Sequence, residues 1–308
     1  MKKIFGKKFV LFTCMVAALF LFSCGDKHAA EETPETPETP AEQEPAEGEE
    51  TPDTPAYTIT APDGKEGTIT ISEDGKTITL QPEEADVEYT ITGEFEGQII
   101  NKTEGTVIIL KNANLKNSEG KPVILGELKT EIKSEKETEN TISATGIGEN
   151  DKWGALHCEK GLKIGGSGKC TISNENAHGV KASKVELKGS GNFTFDGGDD
   201  SSGINCNKFT VENDKNGNPR TFTAIFKDSK NGIKADETIS IASGTFKFEN
   251  ITKVALKTDT SADDNEGETK EHKITLEGGA FTFTNCKKSY STEENGFTKS
   301  ATVTGDFN

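Results

Sequence analysis

The chain has 308 residues and a formal net charge of −17, from 52 acidic and 35 basic side chains. Of this charge, +4 lies on residues 1–24, −10 on residues 25–56 and −11 on residues 57–308. An acidic body without basic tracts excludes nucleic acid and peripheral adsorption to anionic lipid as expected partners, and favours cations or neutral ligands held through hydroxyls.

Lys2, Lys3, Lys7 and Lys8 form a basic start, followed by an apolar core of 14 residues from Phe9 to Phe22. That is too short to span a bilayer and has the form of a secretory signal. Leu21-Phe22-Ser23-Cys24 resembles the lipobox of bacterial lipoproteins. The resemblance implies cleavage before Cys24, acylation of Cys24, and residence in the cell envelope, periplasmic or surface-exposed, with that lipid as the sole membrane contact. Residues 25–56 are rich in Pro, Glu, Thr and Ala and lack Phe, Leu, Ile and Val. With nothing to bury, this stretch is expected to be a disordered stalk, and at about 3.1 Å per residue its reach is up to ~100 Å.

Residues 57–308 carry a repeat. A small residue, a branched apolar residue, a polar residue and another small one recur as Ala155-Leu156-His157-Cys158, Gly179-Val180-Lys181-Ala182, Gly203-Ile204-Asn205-Cys206, Gly232-Ile233-Lys234-Ala235 and Ala255-Leu256-Lys257-Thr258, at intervals of 24, 24, 29 and 23. An alternating pair follows each motif: Leu162/Ile164, Val185/Leu187, Phe209/Val211, Ile239/Ile241 and, delayed by an insertion at 259–271, Ile274/Leu276. A third pair closes each unit: Cys170/Ile172, Phe193/Phe195, Phe222/Ala224, Phe246/Phe248 and Phe281/Phe283. Three period-2 segments joined by glycine turns predict three short strands per unit, with no helical periodicity. Such a unit cannot bury its apolar face alone. Stacking at about 4.8 Å aligns like residues into columns, and the handedness of parallel crossovers makes the result right-handed.

The expected architecture is therefore all-β, a right-handed parallel β-helix of about seven coils over residues 96–308, under an N-terminal β cap at residues 57–95. Gln98-Ile99-Ile100 and Val123-Ile124-Leu125 mark two weaker early coils, and the tail from Thr284 to Asn308 is expected to cap the far end. Cys158 and Cys206 fall on one inward column with Ala182 between them. Two rungs are ~9.6 Å, beyond disulfide reach, so both thiols should be free and buried. Nothing suggests an obligate oligomer, and a monomer is expected.

Asn231-Gly232-Ile233-Lys234-Ala235, Ser202-Gly203-Ile204-Asn205 and Tyr89-Thr90-Ile91-Thr92-Gly93 with Gly97-Gln98-Ile99-Ile100 resemble a bacterial β-helix family of carbohydrate-binding domain-containing proteins, over roughly residues 87–285. The resemblance implies a polysaccharide-lyase-like β-helix that binds cellulose-like or acidic polysaccharides and carries Ca²⁺. The sequence departs from the family in having fewer paired aspartates, Asp199-Asp200 being the best pair.

Candidate site residues follow from the register. His157, Lys181, Asn205, Lys234 and Lys257 form one outward row at the rung spacing, suited to tracking a sugar chain or, equally, to being a solvated face. Trp153 stands beside the first strong motif and either stacks on a sugar or covers the core edge. Asp199, Asp200 and Asp228 in the turns, with Asp236 beside the row, are the candidate Ca²⁺ ligands, since hard oxygen donors are what Ca²⁺ takes; ordinary Asp-rich turns look the same. No catalytic residue is assigned. A polysaccharide lyase would use Lys181 or Lys234 as base beside Asp199 and Asp200. A third class is a surface adhesin that binds protein.

Overall fold

The computed structural model describes residues 56–145, 153–260, 270–305 and 307–308. The signal-like segment, Cys24, the stalk up to residue 55 and most of the 259–271 insertion lie outside the described residues.

The described residues between 77 and 305 wind into stacked three-strand coils. The first face stacks Thr77–Leu80, Gln98–Asn101, Ile124–Gly126, the leading halves of Gly154–Gly166, His178–Leu187, Ser202–Val211 and Asn231–Ile241, then Val254–Thr258 and Tyr290–Ser291, each parallel to the next. The second face runs from the first half of Glu88–Glu96 through Thr106–Asn117 and Thr130–Ser134 to Lys273–Leu276 and Phe297–Lys299. The third runs through Glu139–Ala144, Lys169–Asn174, Asn192–Asp196, Thr223–Lys227, Thr245–Glu249 and Ala280–Thr284 to Thr302–Gly305. This is a parallel β-helix.

Its core is a set of columns. Ile78, Ile99, Ile124, Leu156, Val180, Ile204, Ile233 and Leu256 stand directly over one another, all at 0–1% exposure. Burying each such side chain contributes about 1.5–3 kcal/mol. On the third face Phe195, Phe226, Phe248 and Phe283 stack face to face at 5.0–5.2 Å. The glycine of the recurring motif makes room for this column: a Cβ on Gly232 would lie 2.6 Å from the Phe248 ring and 2.7 Å from Ala255 O. At the corner between second and third faces Gly189 has φ +92° and a Cβ there would meet Gly166 O at 2.3 Å, so the stacked turns demand glycine twice over.

The structure corrects the sequence expectations in three places. The coils number nine by the strands above, because Thr77–Leu80 and Glu88–Glu96 already pair in parallel with the next coil. The cap shrinks to Tyr57–Thr60, antiparallel to the Glu88–Glu96 strand, and Ile69–Ile71, antiparallel to Thr77–Leu80 through the Asp74-Gly75 turn. Period-2 alternation is identical for parallel and antiparallel neighbours, so alternation alone does not place this boundary. At the other end residues 290–305 form a ninth coil. Only beyond it does Phe307 close the core, against Phe283, Tyr290 and Phe297 at 5.4–5.8 Å.

The third correction is a register. The in-column pair of the sixth coil is Ala224/Phe226, aligned with Phe193/Phe195, rather than Phe222/Ala224. A shift of two residues keeps the same face inward and leaves the alternation unchanged. Phe222 precedes the strand and fills the space above Ala224, edge-on to Phe193 and Phe246 at 6.2 and 5.6 Å. The cysteine column stands as read: Cys158, Ala182, Cys206, Ala235 and Thr258 align, and Cys158, Cys170, Cys206 and Cys286 are free, the first three buried. Burial raises all these thiol pKa values, that of Cys170 to about 12.

Candidate functional site

The predicted outward row forms as read. His157, Lys181, Asn205, Lys234 and Lys257 are consecutive register partners on the first face, each half-buried. They point outward because the flanking residues Leu156/Cys158, Val180/Ala182, Ile204/Cys206, Ile233/Ala235 and Leu256/Thr258 take the inward positions.

Four members of the row, Lys181, Asn205, Lys234 and Lys257, line a groove of about 340 Å³. Its other lining residues are His178, Asp200, Ser202, Lys230, Asn231 and Lys253. Five lysines against one aspartate make this a basic groove on an acidic chain. Carboxylates stand beside it as well. Lys234 pairs with Asp236 and Asp259 at 3.5 Å each, Lys257 with Asp259 at 3.6 Å, and Lys230 lies 3.9 Å from Asp200. Three carboxylates, Asp200, Asp236 and Asp259, thus stand against the five lysines.

His157 and Trp153 stand apart from the groove lining. Their rings meet edge to face at 4.8 Å, and Trp153 packs on the core rather than standing clear as a platform. Burial, reinforced by the Lys181 charge, pushes His157 down to about 4, so it is neutral in the physiological range.

Sequence reasoning missed Lys230, Lys253, His178 and Ser202. A signal was present. Lys230 and Lys253 both stand two residues before the small residue of their motifs, and His178, Ser202 and Asn231 all stand one before it. Offsets counted from the small residue onward start too late to reach these positions, which stand at the entrance to the strand.

The four candidate Ca²⁺ ligands are not brought together. Asp228 is engaged by Lys227 at 3.1 Å and by Asn250 Nδ2 at 2.9 Å, Asp200 faces Lys230, and Asp236 faces Lys234 on the other side of the row. Asn250 and Lys227 hold the Asp228 carboxyl below the ordinary range, whereas burial raises that of Asp236. Among the described residues no group of three or more His, Cys, Asp or Glu side chains is placed to hold a metal ion. With six to eight oxygens required, these residues do not fit a preformed calcium site.

A larger depression, about 580 Å³, lies at the corner between the first and second faces over coils one to five. Its lining mixes Lys129, Lys160, Lys163 and Lys184 with Asp86, Glu104, Glu131 and Glu186, and Lys129 pairs with Glu104 at 3.0 Å. Equal numbers of each sign give it no net charge preference.

Residues 65–213 match the family of carbohydrate-binding domain-containing proteins. This bears out the family resemblance over just under half of the chain. The matched stretch contains Trp153, His157, Lys181, Asp199, Asp200 and Asn205, while Lys230, Lys234, Lys253 and Lys257 lie beyond it. The groove therefore straddles the end of the family segment. A solved structure of the polysaccharide lyase-like protein from C. thermocellum resembles the chain with a TM-score of 0.56 at 15% identity, covering 78% of this chain and 89% of that one. At that identity the likeness establishes the fold. No curated protein matches the sequence significantly.

Proposed function

We propose that the chain is a non-catalytic polysaccharide-binding protein, held to the envelope by a lipid on Cys24, that takes an acidic glycan along the lysine groove of its first face. The observation that carries this reading is the gathering of Lys181, Lys230, Lys234, Lys253 and Lys257 in one groove on a chain of net charge −17. Carboxylates on successive sugars would meet ammonium groups at the rung spacing of about 4.8 Å. A cellulose-like neutral ligand is less well supported. Trp153 is engaged with His157 and the core, and among the described residues the exposed large hydrophobic side chain is Ile71, far from the row in sequence. A lyase needs a neutral lysine as base, and Lys234 is ion-paired with two carboxylates. The dispersed aspartates would leave most of the oxygens a calcium ion needs to the glycan, so calcium belongs in the assay as a variable.

The test is retardation of the chain in gels containing polygalacturonate, with calcium and with a chelator, while ultraviolet absorbance is followed for unsaturated products. Retardation without products is expected. Lys234→Ala and Lys257→Ala should each weaken binding by about two- to fivefold, as partly exposed charges do, and added salt should weaken it further. Product release would replace this reading by the lyase. No retardation under either condition would replace it by the adhesin.

A further inference from the structure

Asn231 opens the strand Asn231–Ile241 and lines the groove, yet it is only 6% exposed. Its Nδ2 donates to Oγ of Ser202, its register partner one coil back, at 3.2 Å. Its Oδ1 is buried and meets no hydrogen-bond donor among the described residues. A serine hydroxyl both donates and accepts, so a half-turn of the amide would exchange its ends and still leave one of them to the groove. An unmatched buried amide end is costly, and native proteins rarely keep one. The strand does not require it. Val254 holds the same register position one coil on, at 5% exposure. A branched apolar side chain therefore suits this column, and the asparagine at 231 lowers the stability of the fold.

We infer that Asn231 is a binding residue for a sugar hydroxyl, so that the groove selects glycans with free hydroxyls beside their anionic groups rather than polyanions in general. The inference rests on the groove being the glycan site and names what that site demands besides charge. Lys230 directly precedes Asn231, and Lys253 directly precedes its register partner Val254, so a lysine of the same groove stands next to this position on two successive rungs. Each unit of a polyuronate carries a carboxylate for an ammonium group and hydroxyls for the amide. A carboxylate is acceptor-only and cannot satisfy Oδ1, whereas a hydroxyl, donor and acceptor at once, satisfies either end of the amide. Asp200, Asp236 and Asp259 already face lysines, while the outer end of Asn231 faces no partner in the protein.

The test measures binding of the full chain to beads bearing polygalacturonate, poly-L-glutamate, or polygalacturonate with acetylated hydroxyls and intact carboxylates, at equal carboxylate density. The native chain should bind plain polygalacturonate about tenfold more tightly than either of the others, the equivalent of one hydrogen bond. Asn231→Val should lose that margin on polygalacturonate and nothing on poly-L-glutamate. Its urea midpoint should stay level or rise, because an unmatched amide has been removed. Lys234→Ala/Lys257→Ala should instead weaken binding to all three supports alike, since it removes only charge. Equal affinity of the native chain for polygalacturonate and either of the others overturns the inference and leaves the groove reading standing. So does an Asn231→Val protein that binds polygalacturonate as the native chain does. A parallel loss by that variant on polygalacturonate and poly-L-glutamate also overturns it, by marking a structural role. If the native chain ignores polygalacturonate, or the double lysine variant binds it undiminished, the groove reading fails first and the inference with it.

Discussion

His157 and Lys181 are neighbours in one row, yet they carry different charge. Burial and the adjacent ammonium hold the His157 ring neutral down to about 4, against 6.5 for a free imidazole. Between those values the unfolded chain binds a proton that the folded chain refuses, so stability falls as pH drops through that window and is unaffected above it. His157→Gln removes the effect. Melting temperatures recorded from pH 7.5 to 4.5 should decline less steeply for the variant than for the native chain, and parallel curves would show that His157 titrates normally in the fold. The position of His157 in the row was legible from the motif spacing. Its neutrality was not, because it depends on a Trp153 ring at 4.8 Å and on which neighbour carries a charge.

At the scale of the strand, the third face shows why period alone underdetermines register. Phe222, Ala224 and Phe226 alternate without a break, and either Phe222/Ala224 or Ala224/Phe226 satisfies the pattern. The choice is made by the coils on both sides, where Phe195 and Phe248 lie in stacking distance of Phe226. Phe222 then occupies the space opposite the small Ala224, and Gly244 is required because a Cβ there would sit 2.7 Å from the Phe222 ring. Phe222→Ala and Phe226→Ala should therefore each cost about 3–5 kcal/mol in urea denaturation, the range for emptying a buried aromatic site. A loss below about 1 kcal/mol at Phe222 would mean that its ring does not belong to the column, since even a partial cavity there exceeds it.

For the solenoid as a whole, stability is a sum of coils and of the contacts between neighbours, so the ends matter more than their size suggests. Phe307 lies against Phe283, Tyr290 and Phe297, and Ser289 donates its backbone N–H to Asn308 O at 3.1 Å, drawing the C-terminus across the last coil. Phe307→Ala should cost about 1–2 kcal/mol of apolar burial. The loss should be local. Amide hydrogen exchange is expected to accelerate in Tyr290–Ser291, Phe297–Lys299 and Thr302–Gly305 and to stay unchanged in Gly154–Gly166 and His178–Leu187. Uniform acceleration would instead indicate one cooperative unit. The net charge is another whole-molecule quantity with a local exception. An overall −17 pointed toward cations or neutral ligands, yet the coil stacking collects lysines 181, 230, 234, 253 and 257 from three separate coils into one groove.

The β-helix, its inward columns, the outward row from His157 to Lys257 and the impossibility of a Cys158–Cys206 bridge are all legible in the chain. All of these follow from a repeat read modulo two residues and one coil, and such periodic information is carried by the chain without reference to a partner. Where the first coil begins, which of two equivalent registers Phe226 adopts, and that the candidate calcium ligands stay apart are settled only by the tertiary structure. Each of these depends on what stands one rung away, 20 to 30 residues distant along the chain. There, the contact is made by stacking and leaves no local period to read.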